Sequence, residues 1–173
     1  RIIWLFAAGR AMHEIIRAFD GSSGSDEGSR YCDELGITYS PDYDRDLTLA
    51  EVKTSRSFFE PGPRDLDLYT EQLAIYAVCE YLKTGKMHLR YELRVLYLNL
   101  KNSENQTSPD IRVFLVRFTK AHLQAFRKEL AKHKKDLDAA IKARDHKALP
   151  PCREWKCGPT KCDWWSQCKP EGR

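Results

Sequence analysis

Apolar residues recur along this chain with two periods, and the changes between them mark its elements. Residues 2–19 place Trp4, Ala8, Ala11, Ile15 and Ile16 on one broad face, which predicts a helix. The run Gly21-Ser-Ser-Gly-Ser-Asp-Glu-Gly-Ser29 carries no apolar side chain and reads as a flexible loop or the join left by a missing segment. Residues 36–43 and 47–53 predict two short strands joined by a polar turn at Asp44-Arg45-Asp46. Pro61-Gly-Pro63 ends that stretch, and Asp65 or Asp67 is placed to cap a helix running to about Lys83.

Alternation returns at 89–100, where Leu89, Tyr91, Leu93, Val95 and Tyr97 interleave with Arg90, Glu92 and Arg94. Residues 111–118 repeat the pattern, and the polar stretch 101–110 between them predicts a hairpin. Thr119 opens a helix to about Arg144, whose Lys132-His-Lys-Lys135 run reads as a solvated face in preference to a DNA contact. The order helix, strands, helix, strands, helix predicts an α/β fold with helices flanking a mixed central sheet. Past Pro150-Pro151 the composition shifts to Cys, Trp and Lys. Residues 1–150 are therefore expected to form the core and 151–173 a tail packed on it, in one domain without internal repeats.

Composition narrows the class further. With 173 residues, 42% of them hydrophobic and 31% charged, the chain is long enough to bury a core without disulfides. No apolar run reaches the roughly 18 residues of a membrane-spanning helix. Lys and Arg outnumber Asp and Glu by 29 to 25, a net charge of +4 that permits a nucleic-acid partner without requiring one. The opening Arg1-Ile-Ile-Trp-Leu-Phe6 lacks a small-residue cleavage site and runs on with helical spacing, so it reads as buried helix and not as a secretion signal. The missing initiator Met suggests that residues precede Arg1.

The candidate chemistry lies in the stretch from Gly36 to Ser55. Pro41-Asp42 is followed, after eight intervening residues, by Glu51-Val-Lys53. On a strand Glu51 and Lys53 share a face while Val52 points away, and Asp42, ending the preceding strand, can reach that face. Two carboxylates beside an ammonium suit a hard divalent cation, Mg²⁺ or Mn²⁺, with the Val52 carbonyl as a further oxygen donor. Lys53 would then orient or deprotonate the attacking water. The alternative is an exposed strand face with a surface ion pair and two turn aspartates.

This pattern resembles the PD-(D/E)xK nuclease superfamily. Its flanking elements are similar to the RecB-like branch, which includes CRISPR-associated adaptation exonucleases and phage recombination exonucleases. Gly9-Arg-Ala-Met-His13 resembles the first-helix motif in which a histidine supplies a metal ligand, and Gln72-Leu-Ala-Ile-Tyr76 resembles the branch's Gln-x-x-x-Tyr motif. The resemblance implies a restriction-endonuclease-like core, metal ligands His13, Asp42, Glu51 and the Val52 carbonyl, Lys53 as the water-activating group, and Gln72 and Tyr76 on the substrate strand.

Four of six cysteines crowd into the tail as Cys152, Cys157, Cys162 and Cys168, interleaved with Trp155, Trp164 and Trp165. Such density without a secretion signal favours a metal or cluster site over disulfides. The spacings are wider than the Cys-x2-Cys pairs that favour zinc and admit an iron-sulfur cluster, which the resemblance implies to be 4Fe-4S, with Zn²⁺ as the alternative. In iron-sulfur members of the branch three C-terminal cysteines join one upstream of the first helix. Here no cysteine precedes His13, so either Cys152 is the fourth ligand or an upstream one is missing. Cys79 reads as a small core residue, and Cys32 has no assigned role.

The expected function is a metal-dependent DNA exonuclease acting on single-stranded ends in recombination, repair or CRISPR adaptation. A helicase, recombinase or integrase partner is possible, and the compartment would be the cytoplasm of a bacterial, archaeal or phage-infected cell, away from membranes. The alternatives are a nuclease-like DNA-binding module with weak or no catalysis, and a restriction-type endonuclease.

Overall fold

A computed structural model of the chain describes residues 29–45, 47–55, 57–59 and 62–145. The helix expected at 2–19, with His13, and the cysteine tail lie outside these residues. Eight elements follow one another: β1 (Arg30–Cys32), β2 (Ile37–Tyr39), β3 (Tyr43–Arg45), β4 (Thr48–Ser55), α1 (Pro63–Thr84), β5 (Arg90–Lys101), β6 (Thr107–Val116) and α2 (Lys120–Ala143). The fold is α/β with a mixed sheet of order β3-β4-β5-β6, in which only β4 and β5 run parallel. A separate two-stranded ribbon pairs β1 with β2. No helix among the described residues is long and apolar enough to cross a membrane.

The expected strand 36–43 is in fact two. Pro41 has no N–H to give to a ladder, and the chain breaks there into β2, which turns back on β1, and β3, which pairs with β4. The β3–β4 turn lies later than expected, because Asp44 and Arg45 still pair with Leu49 and Thr48 and the chain reverses through Leu47 at φ 62°. The turn between β5 and β6 is shorter than the polar stretch 101–110. Asn102 Oδ1 accepts the N–H groups of Glu104 and Gln106, each at 2.9 Å, and closes it within five residues. Pro109 is tolerated because β6 is an edge strand.

α1 links the two parallel strands and packs on both. Its N-cap is Gly62, without a side-chain bond, followed by Pro63; neither Asp65 nor Asp67 is the cap. A proline there leaves no helical bond unmade, since the first N–H groups have no partner inside the helix. The helix stops at Gly85, whose φ of 70° lets its N–H return to the Tyr81 carbonyl at 2.8 Å. Thr119 caps α2 as expected, accepting the His122 N–H at 3.1 Å.

The sheet's two faces differ. Leu93, Val95, Tyr97 and Leu100 of β5 form a core with Leu66 and Tyr69 of α1 and Phe114 and Val116 of β6. The opposite face of β6 leaves Ile111, Val113 and Leu115 about half exposed. By contacts, the described residues up to Arg127 form one compact unit and those from Lys128 a second. In the second, Lys134 pairs with Asp138 at 3.0 Å and His133 is exposed, so the basic run is a solvated face.

Candidate active site

β4 lies between β3 and β5, and its alternation turns Glu51 and Lys53 to one side and buried Val52 to the other. Glu51 is only 2% exposed. Lys53 Nζ donates to Glu51 Oε1 and, at 2.6 Å, to Gln72 Oε1 on α1. The Gln72 amide passes the chain on by donating from Nε2 to the Tyr76 hydroxyl at 2.6 Å. Positions 72 and 76 meet because they are one helical turn apart. Tyr69, a turn earlier on the same face, sets its ring 5.9 Å from the ammonium. Strand and helix thus fix the lysine from opposite sides.

Asp42 enters by a different route. The β3 ladder on β4 begins at Tyr43, paired with Ala50, so the Val52 N–H points to an edge where no strand residue follows. Asp42 Oδ2 accepts that N–H at 2.8 Å. Within a strand the N–H and C=O of one residue face the same neighbour, so the Val52 carbonyl is directed to this edge as well.

The electrostatics follow from burial. Glu51 is pushed up to about 7, first by loss of solvent and then by the negative charge of Asp42, with the Lys53 ammonium working against both. Tyr76 is pushed up to about 12 by burial and by the charges of Glu51 and Asp42, with its hydrogen bond to Gln72 opposing them. Although these groups crowd Glu51, its Oε2 has no hydrogen-bond partner among the described residues. A buried carboxylate oxygen in that condition is costly unless something positive or protonated meets it.

Asp42, Glu51, Lys53, Gln72 and Tyr76 therefore lie together, with the Val52 backbone between them. His13 and Cys152, Cys157, Cys162 and Cys168 fall outside the described residues. Among the described residues no group of three or more His, Cys, Asp or Glu side chains could hold a metal ion.

A second polar cluster has no counterpart in the sequence reading. Arg30 of β1 bonds both Asp44 of β3 and, at 2.5 Å, Glu80 of α1, while Tyr39 of β2 donates to Glu80 at 2.7 Å. His88 joins Asp44 at 2.7 Å. Burial works to raise the Asp44 carboxyl, but its bonds to His88 and Arg30 outweigh that and hold it below its ordinary value. The cluster ties the small ribbon to α1 and to the main sheet. Cys32 proves to be buried beside Cys79, which is core as expected; both are free thiols, and burial followed by the neighbouring Cys32 pushes the Cys79 thiol well up. Comparison of the chain with protein-family models, curated proteins and solved structures returns no match.

Proposed function

We propose that the chain is a divalent-metal-dependent nuclease of the RecB-like branch of the PD-(D/E)xK superfamily, with a restriction-endonuclease-like core, hydrolysing phosphodiester bonds at single-stranded DNA ends. One observation carries the reading. The buried carboxylate of Glu51 keeps an orphaned oxygen beside Asp42, while its other oxygen is held by a lysine that Gln72 anchors from the opposite wall. A surface ion pair requires none of this, and a pure binding module has no use for a carboxylate pair facing phosphates.

The donor set fits a hard cation: Asp42 and Glu51 offer carboxylate oxygens, and Glu51 Oε2 has no hydrogen-bond partner among the described residues. Asp42, Glu51, the Val52 carbonyl and His13 would hold Mg²⁺ or Mn²⁺. Bound there, the ion would lower the pKa of water and offset charge on the phosphate. Lys53 orients the attacking water and stabilises charge gathering on the phosphorus oxygens. The water oxygen forms the new bond to phosphorus, the bond to the leaving oxygen breaks, that oxygen takes up the proton the water gives up, and a phosphate end and a free hydroxyl result. Gln72 and Tyr76 position the lysine and contact the strand. Cys152, Cys157, Cys162 and Cys168 would hold a 4Fe-4S cluster, or Zn²⁺, with a structural role, since four thiolates leave no open position.

The test is hydrolysis of end-labelled single- and double-stranded DNA with Mn²⁺, Mg²⁺ or EDTA. Lys53→Met and Asp42→Asn should each lower the rate at least about a hundredfold while DNA binding in EDTA persists, because affinity comes mainly from phosphate contacts elsewhere. Parent-like hydrolysis by Lys53→Met would overturn the reading.

A further inference from the structure

Two adjacent aromatic side chains stand in solvent on the loop between β4 and α1. Phe58 is 47% exposed and Phe59 68%. Exposed apolar residues scattered singly need no explanation, but this pair sits on a backbone that is held in place. Ser55 Oγ accepts the Ser57 N–H and Ser57 Oγ accepts the Phe59 N–H, each at 3.1 Å. The Phe58 carbonyl accepts the Lys101 N–H of β5 at 3.0 Å, and the Lys101 ammonium lies 5.6 Å from the Phe58 ring centroid.

The loop continues the strand that carries Glu51 and Lys53. Lys53 pairs with Val95, whereas the loop meets β5 at Lys101. At about 3.3 Å per strand residue the separation is at most about 20 Å, or roughly six stacked nucleotides at ~3.4 Å each. A lysine marks each end of this path. Rings that are exposed and pre-positioned, with the Lys101 ammonium beside one of them, match the two chemistries of an unpaired nucleic-acid strand, flat apolar bases and anionic phosphates.

We propose that Phe58 and Phe59 form a stacking platform for unpaired bases of the strand hydrolysed at Glu51 and Lys53. The inference rests on the nuclease reading and adds how its single-stranded substrate is held, by base faces without regard to sequence. Every base has a π-face, whereas a duplex keeps its own bases stacked inside. Phe58 and Phe59 are positioning residues here.

The experiment compares the parent with Phe58→Ala, Phe59→Ala, the double variant and Phe59→Trp. Binding of a single-stranded oligonucleotide and of an abasic one of equal length is measured in EDTA, and hydrolysis in Mn²⁺. Each alanine should weaken binding about tenfold and raise KM with kcat within about twofold. The parent should bind the abasic strand about as weakly as the double variant binds the normal one. Phe59→Trp should keep the parent's affinity, with its fluorescence quenched by the oligonucleotide. Equal affinity of parent and double variant, or of parent for normal and abasic strands, would overturn the platform. A parent that hydrolyses DNA while the double variant is unaffected defeats the platform alone. A parent that binds through the rings but hydrolyses nothing with either metal defeats the nuclease reading alone. A parent that binds no oligonucleotide defeats both.

Discussion

Glu51 is the residue at which folding and chemistry pull in opposite directions. Its pKa rises from 4.5 to about 7 in the folded chain, so between those values the folded state holds the proton more tightly than the unfolded state does. Stability in a chelator should therefore fall as pH rises through that window, by up to roughly 3 kcal/mol. Urea unfolding in EDTA at pH 5 and pH 8 measures it. Glu51→Gln, which keeps the shape and removes the charge, should flatten the dependence, gain stability at pH 8 and lose metal-dependent hydrolysis. A Glu51→Gln protein with the parent's pH dependence would show that another group is responsible.

At the scale of elements, α2 offers the simplest check on local structure. Thr119 takes up one of the N–H groups that a helix start leaves unbonded, so Thr119→Ala should cost about 1 kcal/mol in urea unfolding and Thr119→Ser should recover it. That cap was readable in the sequence because Thr119 directly precedes a helical pattern. The β5–β6 hairpin and α1 were readable for the same kind of reason, their periods being long and unbroken. The ribbon was only half readable: β2 lies within the strand expected at 36–43, but β1 is three residues long, too short for alternation to show, and Arg30 is fastened to Glu80 fifty positions away. The site divides along the same line. Glu51 and Lys53 follow from spacing within one strand, whereas Gln72 and Tyr76 are singled out by the motif they resemble. The partnership of Asp42 with the Val52 amide depends on where Pro41 breaks the ladder, and no local pattern announces it.

For the whole molecule, the proposed function requires parts drawn from distant stretches: a ligand near the N-terminus, the strand and helix of the described site, and four thiols near the C-terminus. The thiols can be tested apart from the hydrolysis. Protein purified without oxygen should be brown if they hold 4Fe-4S, and colourless with one equivalent of zinc if they hold Zn²⁺. In both cases Cys162→Ala should lower the melting temperature, and activity should fall in step with folded protein. A folded Cys162→Ala protein that has selectively lost hydrolysis would move the tail from support to chemistry.

The Val52 amide is hydrogen-bonded by a side chain where its neighbours in β4 are held by adjoining strands. Its proton is therefore shielded from exchange with solvent only while the Asp42 carboxylate stays in place. The Val52 amide is thus a backbone position whose exchange rate reports on the site, a probe at a single atom that needs no label and no turnover.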